Sequence, residues 1–448
     1  MTRSDGTEAR HLVQGDRHLL HGDDQERVPG PPNHRTLVLA LSFTTFLQWL
    51  GASALLPLLP LWVRHNGGSD ALAGAVIAAF FVAGLTTQVP AGRLADRVGR
   101  RTVLYFGLIL YALGSLAFLA PFGPISNVVW RFLQGTGVGA SEVAALAIVG
   151  AATPVDERGR AFGTVYAGQL AGLAIGPLFG SLLGVEHMRS LFVLAAAMSL
   201  LACLPVAYVG RSSRIPREVN DLSCRSEEPP RPAALRKTRR GDDGPSSRRA
   251  FGVRWGRALV GAAVAAFAIG LLTGVYEACW TLLLKERGAA TWQIGLSWTL
   301  FAVPFVAMSV PAGRLADHLD RRWLVVFGLF SSALFAVVYP LLHSVGALIG
   351  LGALEAVGVA LILPAVQSIM TEFSPLARLG HAQGVFATSQ TAATALAAGA
   401  GGWLFGIAIW LPFVATAAAA ALVTASIPLI WAPVRGRVLG EIPSPVRR

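Results

Sequence analysis

Four side chains stand where apolar sequence should exclude them. Arg131, Glu142, Glu277 and Glu355 each fall inside a run of about twenty mostly apolar residues. Burying an ionisable group in such a run is costly, so each is a functional candidate by default. Desolvation disfavours a charged carboxylate. A buried glutamate can therefore load a proton on one side of a barrier and release it when its surroundings change. The bland alternative is an acid hydrogen-bonded to a neighbouring helix. Glu277 sits in Tyr276-Glu277-x-x-Trp280. Glu142 lies eleven residues after Arg131, which on a helix returns it to the same face about 16 Å deeper, with Gln134 nearby. Glu277 and Glu355 are the first candidates for proton coupling, followed by Glu142 and Arg131. Arg131 lies near the end of its run, so snorkelling to the headgroups stays open for it. No phosphate loop, nucleophile motif or metal-ligand spacing is found, so neither an enzyme nor a cofactor or metal is expected.

The elements that must hold these groups follow from composition. The 448 residues are 54% hydrophobic and only 14% charged, against about 25% charged in ordinary globular chains. Runs of this length and apolarity suit helices that satisfy their own backbone groups in lipid. Twelve are expected, near 37–63, 72–91, 102–121, 126–150, 161–184, 190–209, 258–284, 292–312, 323–342, 346–370, 382–404 and 409–432. The net charge of +12 does not point to nucleic acid, because Arg and Lys crowd onto one set of alternate loops and the ends. The other set carries only Arg64, Arg189, Lys285 and Arg287. That bias places both termini in the cytoplasm of a plasma-membrane protein. Cys203, Cys224 and Cys279 show no disulfide framework.

The chain is also duplicated. Val89-Pro-Ala-Gly-Arg-Leu-Ala-Asp96 recurs as Val310-Pro-Ala-Gly-Arg-Leu-Ala-Asp317, 221 positions later (310 − 89). Gly163 and Gln169 fall on Gly384 and Gln390 at the same offset. Self-similarity of this kind means two copies of one unit. The expected organisation is a disordered cytoplasmic tail (1–36), an N-terminal six-helix bundle (37–209), a basic cytoplasmic linker (210–256), a C-terminal six-helix bundle (257–432) and a second tail (433–448).

Gly92-x-x-x-Asp96-Arg97-x-Gly99-Arg100-Arg101 resembles the signature loop of the major facilitator superfamily, and Gly313, Asp317 and Arg321 are its second-half counterparts. Gly92 would let two helices approach, Gly99 would permit a tight turn, and Asp96 would bind the N-terminus of span eleven when the cavity faces outward. Trp130-Arg131-Phe-Leu-Gln134 resembles the family's fourth-span motif, whose arginine is implicated in proton transfer. Gly168, Gly172, Gly176, Pro177 and Gly180 place small residues on one stripe of span five, where a neighbouring helix can pack closely. They resemble the motif of the superfamily's antiporters, especially twelve-span drug/proton exporters.

The resemblance implies an all-α membrane protein: twelve transmembrane helices in two pseudo-symmetric six-helix bundles, the major facilitator fold, rocking about a central cavity. The expected function is proton-coupled export of small amphipathic or drug-like molecules by a monomer in the lipid bilayer. Uptake of a sugar or other small metabolite by proton symport is the alternative, and the glycine stripe argues against it. A non-transporting receptor is a third, remote class. The expected cavity lining is Gln48, Trp49, Gln134, Gln169, Tyr276, Trp280, Trp298 and Gln390. Span one carries Gln48 but no acid, unlike many drug exporters, which weakens a cationic-drug assignment. The duplication itself is testable: single cysteines at R97C and H318C should react with an impermeant thiol reagent from the same side of the membrane.

Overall fold

The computed structural model describes residues 34–120, 122–154, 157–212, 245–373 and 379–432. Among these there is no strand, and the helices group into twelve spans. Span one is His34–Leu55 and Leu59–His65, broken by a turn that contains Pro57; Pro60 sits in the first turn of the second piece, where its missing N–H costs nothing. Spans two to five are Asp70–Val98, Arg100–Ala117, Ser126–Ala152 and Arg158–Leu183. Span six is Met188–Leu201 continued by Cys203–Ser212. Span seven runs from Pro245–Val275 through a π turn, Tyr276–Trp280, into Thr281–Glu286. Spans eight to twelve are Thr291–His318, Arg321–Val338, Val345–Phe373, Leu379–Ile407 and Leu411–Ile430. By length and composition ten of them, all but Arg100–Ala117 and Leu379–Ile407, can cross a hydrocarbon core.

Two boundaries differ from those read in the sequence. The linker expected over 210–256 is helical at both ends, to Ser212 and from Pro245, and its middle lies outside the described residues. Most of the two tails lies outside them too. The motif expected as a loop is helical through Val98; only Gly99, at φ 98°, leaves the helix. That backbone conformation is one a side chain with a Cβ resists, so Gly99 makes the turn between spans two and three.

The duplication is visible in the packing. Span one lies on spans five and six, span two on span four, and span three on spans four and six. The second half repeats this: seven on eleven and twelve, eight on ten, nine on ten and twelve. Two broad contacts, span two with eleven and span five with eight, join the halves. The outer surface keeps large apolar side chains such as Leu39, Phe106, Leu113, Phe327, Leu334 and Leu422 exposed, as lipid-facing helices do.

Between helices in lipid, close approach replaces hydrophobic drive. The span-five glycines meet the backbone of span one. A Cβ on Gly172 would stand 2.6 Å from the Phe46 carbonyl oxygen, and one on Gly176 2.7 Å from that of Leu50; Gly168 and Gly180 are tighter still, against Ser42 and Ala54. In the second half the roles are exchanged. Span eleven has Ala393 and Ala397 at the positions of Gly172 and Gly176, and span seven supplies Gly270 and Gly274 against them. The prediction is that Gly180→Ala lowers the thermal unfolding temperature of the purified protein by an amount matching an overpacking cost of about 1–3 kcal/mol. Gly163→Ala on the same helix, where a Cβ meets nothing within 4 Å, should leave that temperature unchanged or raise it.

Candidate functional site

A cavity of about 240 Å³ opens beside span seven. Its wall is almost entirely second-half: Tyr276, Glu277 and Trp280 from span seven, Trp298 and Phe301 from span eight, Tyr339 beyond span nine and Glu355 from span ten, with Leu173 contributed by span five. The π turn brings Tyr276, Glu277 and Trp280 together here. Such wide turns recur at functional sites because they re-aim side chains within a helix.

Glu355 is 2% exposed and is held by two phenols. Tyr276 Oη donates to its Oε1 at 3.0 Å, and Tyr339 Oη donates to its Oε2 at 2.5 Å. Trp280 fixes that pair: its ring lies edge-on to Tyr339 at 4.8 Å, and its Nε1 donates to Ser297 Oγ at 3.0 Å. Glu277 lines the same cavity differently, since its Oε2 is buried with no hydrogen-bond partner. The cation whose field reaches it is Arg131, from the other half.

Arg131 does not snorkel. It is 1% exposed, its Nη1 donates to Gln134 Oε1 at 2.8 Å, and its guanidinium lies 4.3 Å from the centre of the Phe80 ring. Gln134 Nε2 in turn donates to Ser115 Oγ at 2.8 Å. Glu142 does not join this chain; Gln169 Nε2 donates to its Oε1 at 3.0 Å, tying span four to span five. Gln48 is also committed, donating to Ser141 Oγ at 2.7 Å. Of the eight residues expected to line the cavity, Tyr276, Trp280 and Trp298 do so. Gln134, Gln169 and Gln48 serve as hydrogen-bond partners within the first half, Trp49 packs at the Gly172 contact, and Gln390 presents its carbonyl to Gly270.

The two ends of the molecule differ. At the end remote from the Gly92–Arg101 motif the halves are clasped. Arg64 pairs with Asp70 of its own half and, through Nη1 at 2.8 Å, with Glu286 of the other; its guanidinium also lies 5.6 Å from the Phe405 ring. Beside it Gly74 and Gly402 bring spans two and eleven into backbone contact. Pro177 and Ser181 meet Gly295, and Thr299 Oγ1 donates to the Ala174 carbonyl at 2.9 Å. At the motif end Asp96 is exposed and has no partner among the described residues. Gly92 makes no close helix contact here, its nearest neighbour being Val143 Cγ1 at 3.7 Å from a built Cβ. Arg97 is exposed and Arg100 and Arg101 half-buried, while Arg321 pairs with Glu372 at 2.5 Å. Gly313 and Asp317 lie in span eight, and their surroundings are outside the described residues.

Sequence reasoning missed Tyr339, Ser115, Phe80 and the Arg64 cluster. Tyr339 and Glu355 face each other only because the chain turns at Tyr339–Leu341, and nothing in the spacing marks that pair.

A duplicated twelve-span bundle with halves clasped at one end and acids in an apolar cavity beside span seven is the architecture of a membrane transporter. The chain belongs to the Major Facilitator Superfamily, whose family model matches residues 41–278 and 258–444. It is similar to multidrug resistance protein 2 of Bacillus subtilis (strain 168), 29% identical over 43% of this chain and 48% of that one, about half its length. The class E tetracycline resistance protein of Escherichia coli is 26% identical over 81% of this chain and 86% of its own. The quinolone resistance protein NorA of Staphylococcus aureus (strain MRSA252) is 25% identical over 37% and 42%. Among solved structures, a bacterial homologue of the human lysosomal transporter Spinster superposes with a TM-score of 0.67 at 15% identity, covering 90% of this chain and 98% of that one. A POT family transporter in complex with a thioalcohol conjugated peptide gives 0.66 at 15% identity, over 89% and 95%.

The Glu355 site makes a stability prediction. Glu355→Ala leaves two phenol hydroxyls without an acceptor, at about 1–3 kcal/mol each. Glu355→Gln keeps one carbonyl acceptor. Thermal unfolding in detergent should rank wild type above Glu355→Gln and Glu355→Ala lowest.

Proposed function

We propose that this transporter exports small amphipathic or drug-like molecules in exchange for protons. The observation that carries the proposal is the pair of acids in one apolar cavity wall. Glu355 is braced by Tyr276 and Tyr339, and Glu277 is left with an unpartnered oxygen. A wall with fixed donors around one carboxyl and none at part of the other treats protonation at the two sites differently. Such a pair can take up a proton from one compartment and surrender it to the other. The driving force is ample: one charge crossing 100 mV is worth about 2.3 kcal/mol.

Several features support export rather than uptake. The three relatives named above are resistance proteins by name, and span five carries the glycine stripe with Pro177 inside the helix. The Arg and Lys bias supports a cytoplasmic position for the motif end and both termini at the plasma membrane. On that orientation the clasp at Arg64 closes the outer side, and the free Asp96 belongs to a state open to the cytoplasm. Docking of Asp96 on the start of span eleven would then accompany opening of the clasp. The protein works as a monomer, without a cofactor, and performs no covalent chemistry.

Transport into everted membrane vesicles tests this. With protons pumped into the lumen, vesicles carrying the protein should accumulate a fluorescent amphipathic substrate and release it when the gradient is collapsed. Glu277→Gln and Glu355→Gln should each lower exchange at least tenfold while inserting normally. Wild-type exchange in both variants would remove these acids from the mechanism, and gradient-driven loss from the lumen would reverse the direction.

A further inference from the structure

The two copies of the motif end in the same pair of arginines but neutralise them differently. In the second half Arg321 Nη1 pairs with Glu372 Oε2 at 2.5 Å. Arg322 is gripped by Asp320, with Nε at 3.0 Å from Oδ1 and Nη2 at 2.5 Å from Oδ2, and its Nη1 donates to the Trp431 carbonyl at 3.3 Å. The repeat-related positions in the first half are Arg100 and Arg101, with Gly99 where Asp320 stands and Ala151 where Glu372 stands. Both internal acids are gone and both cations are kept. Arg101 is half-buried, and its Nη2 is enclosed with no hydrogen-bond partner. Arg93 and Arg97, exposed on the last turns of span two, have no partner among the described residues either. The one carboxylate in the same stretch is Asp96, also exposed and free.

A guanidinium enclosed on one side and lacking an acceptor is an unfilled valence for an anion, because its rigid fork matches a phosphate or carboxylate through two parallel donors. The turn at Gly99 joins two membrane spans, so its level is that of the lipid headgroups. We propose that Arg100 and Arg101, with Arg93 and Arg97 around them, bind the phosphate of an anionic phospholipid on the face of the membrane that carries the motif. The lipid takes the place that Glu372 and Asp320 fill in the other half. Arg321 and Arg322, neutralised from within, offer no such fork among the described residues of the second half. Anionic lipid thus docks on one bundle only, beside the turn that Asp96 shares.

The test uses the full chain purified in detergent and three probes: phosphatidylglycerol, phosphatidylcholine and inorganic phosphate. Phosphatidylglycerol should raise the thermal unfolding temperature more than phosphatidylcholine, and native mass spectrometry should show retained phosphatidylglycerol adducts. Arg100→Gln with Arg101→Gln should weaken adduct retention roughly fivefold per arginine. Ala151→Glu, at an exposed position, rebuilds the acid of the second half against Arg100 and should weaken it without removing any cation. Arg321→Gln, already paired internally, should leave phosphatidylglycerol retention as it is. An undiminished phosphatidylglycerol preference in Ala151→Glu or in the double arginine variant overturns the proposal. Equal stabilisation by inorganic phosphate alone would make this a free-anion site and overturn the lipid assignment.

Discussion

An ionisable group held away from water needs a neutralising partner within reach, and this constraint shapes the whole molecule. Arg131 finds Gln134 and the face of Phe80, Glu142 finds Gln169, and Glu355 finds two phenols. Each partner comes from a neighbouring helix or a neighbouring turn, so the helices are pinned in register by the cost of leaving such a group alone. Glu277 differs among these acids: one of its carboxylate oxygens is buried with no hydrogen-bond partner among the described residues, and Arg131 Nε is left the same way. Arg131, the cation whose field reaches Glu277, stands on the opposite half.

The clasp at Arg64 applies the same constraint at the membrane surface. One guanidinium serves an acid of its own half and an acid of the other. Separation of the halves there would cost only the second partner, because Asp70 remains. Exposed ion pairs of this sort are individually weak. The close contact of Gly74 with Gly402 beneath it adds dispersion that is lost at the same time. The two terms together are of a size that a bound ligand or proton can offset.

Much of this was legible in the sequence because lipid allows few solutions. Apolar runs of twenty residues must be helices, and an eight-residue identity 221 positions apart must be a duplication. Local spacing also worked at short range: Gln134, one turn from Arg131, is its partner. It failed at longer range. The helical wheel brought Glu142 back to the Arg131 face, yet its partner is Gln169 on another span. The span-five glycines announced a close neighbour but not that it would be span one. Nor did the loss of glycine from span eleven reveal that span seven had gained it at Gly270 and Gly274. These are facts of pairing between segments far apart in the chain, which composition and period do not carry.

The wide turn at Tyr276–Trp280 has a mechanical consequence. Span seven is not one rod, because the extra residue interrupts the regular ladder between Pro245–Val275 and Thr281–Glu286. The long lower piece lies along span eleven, whereas the short upper piece touches Leu59–His65 of the opposite bundle. A joint at that point lets the short piece travel with its foreign neighbour while the long piece stays with its own. Glu277 and Trp280 sit on the joint itself, so any flexing there swings an acid and an indole across the cavity wall.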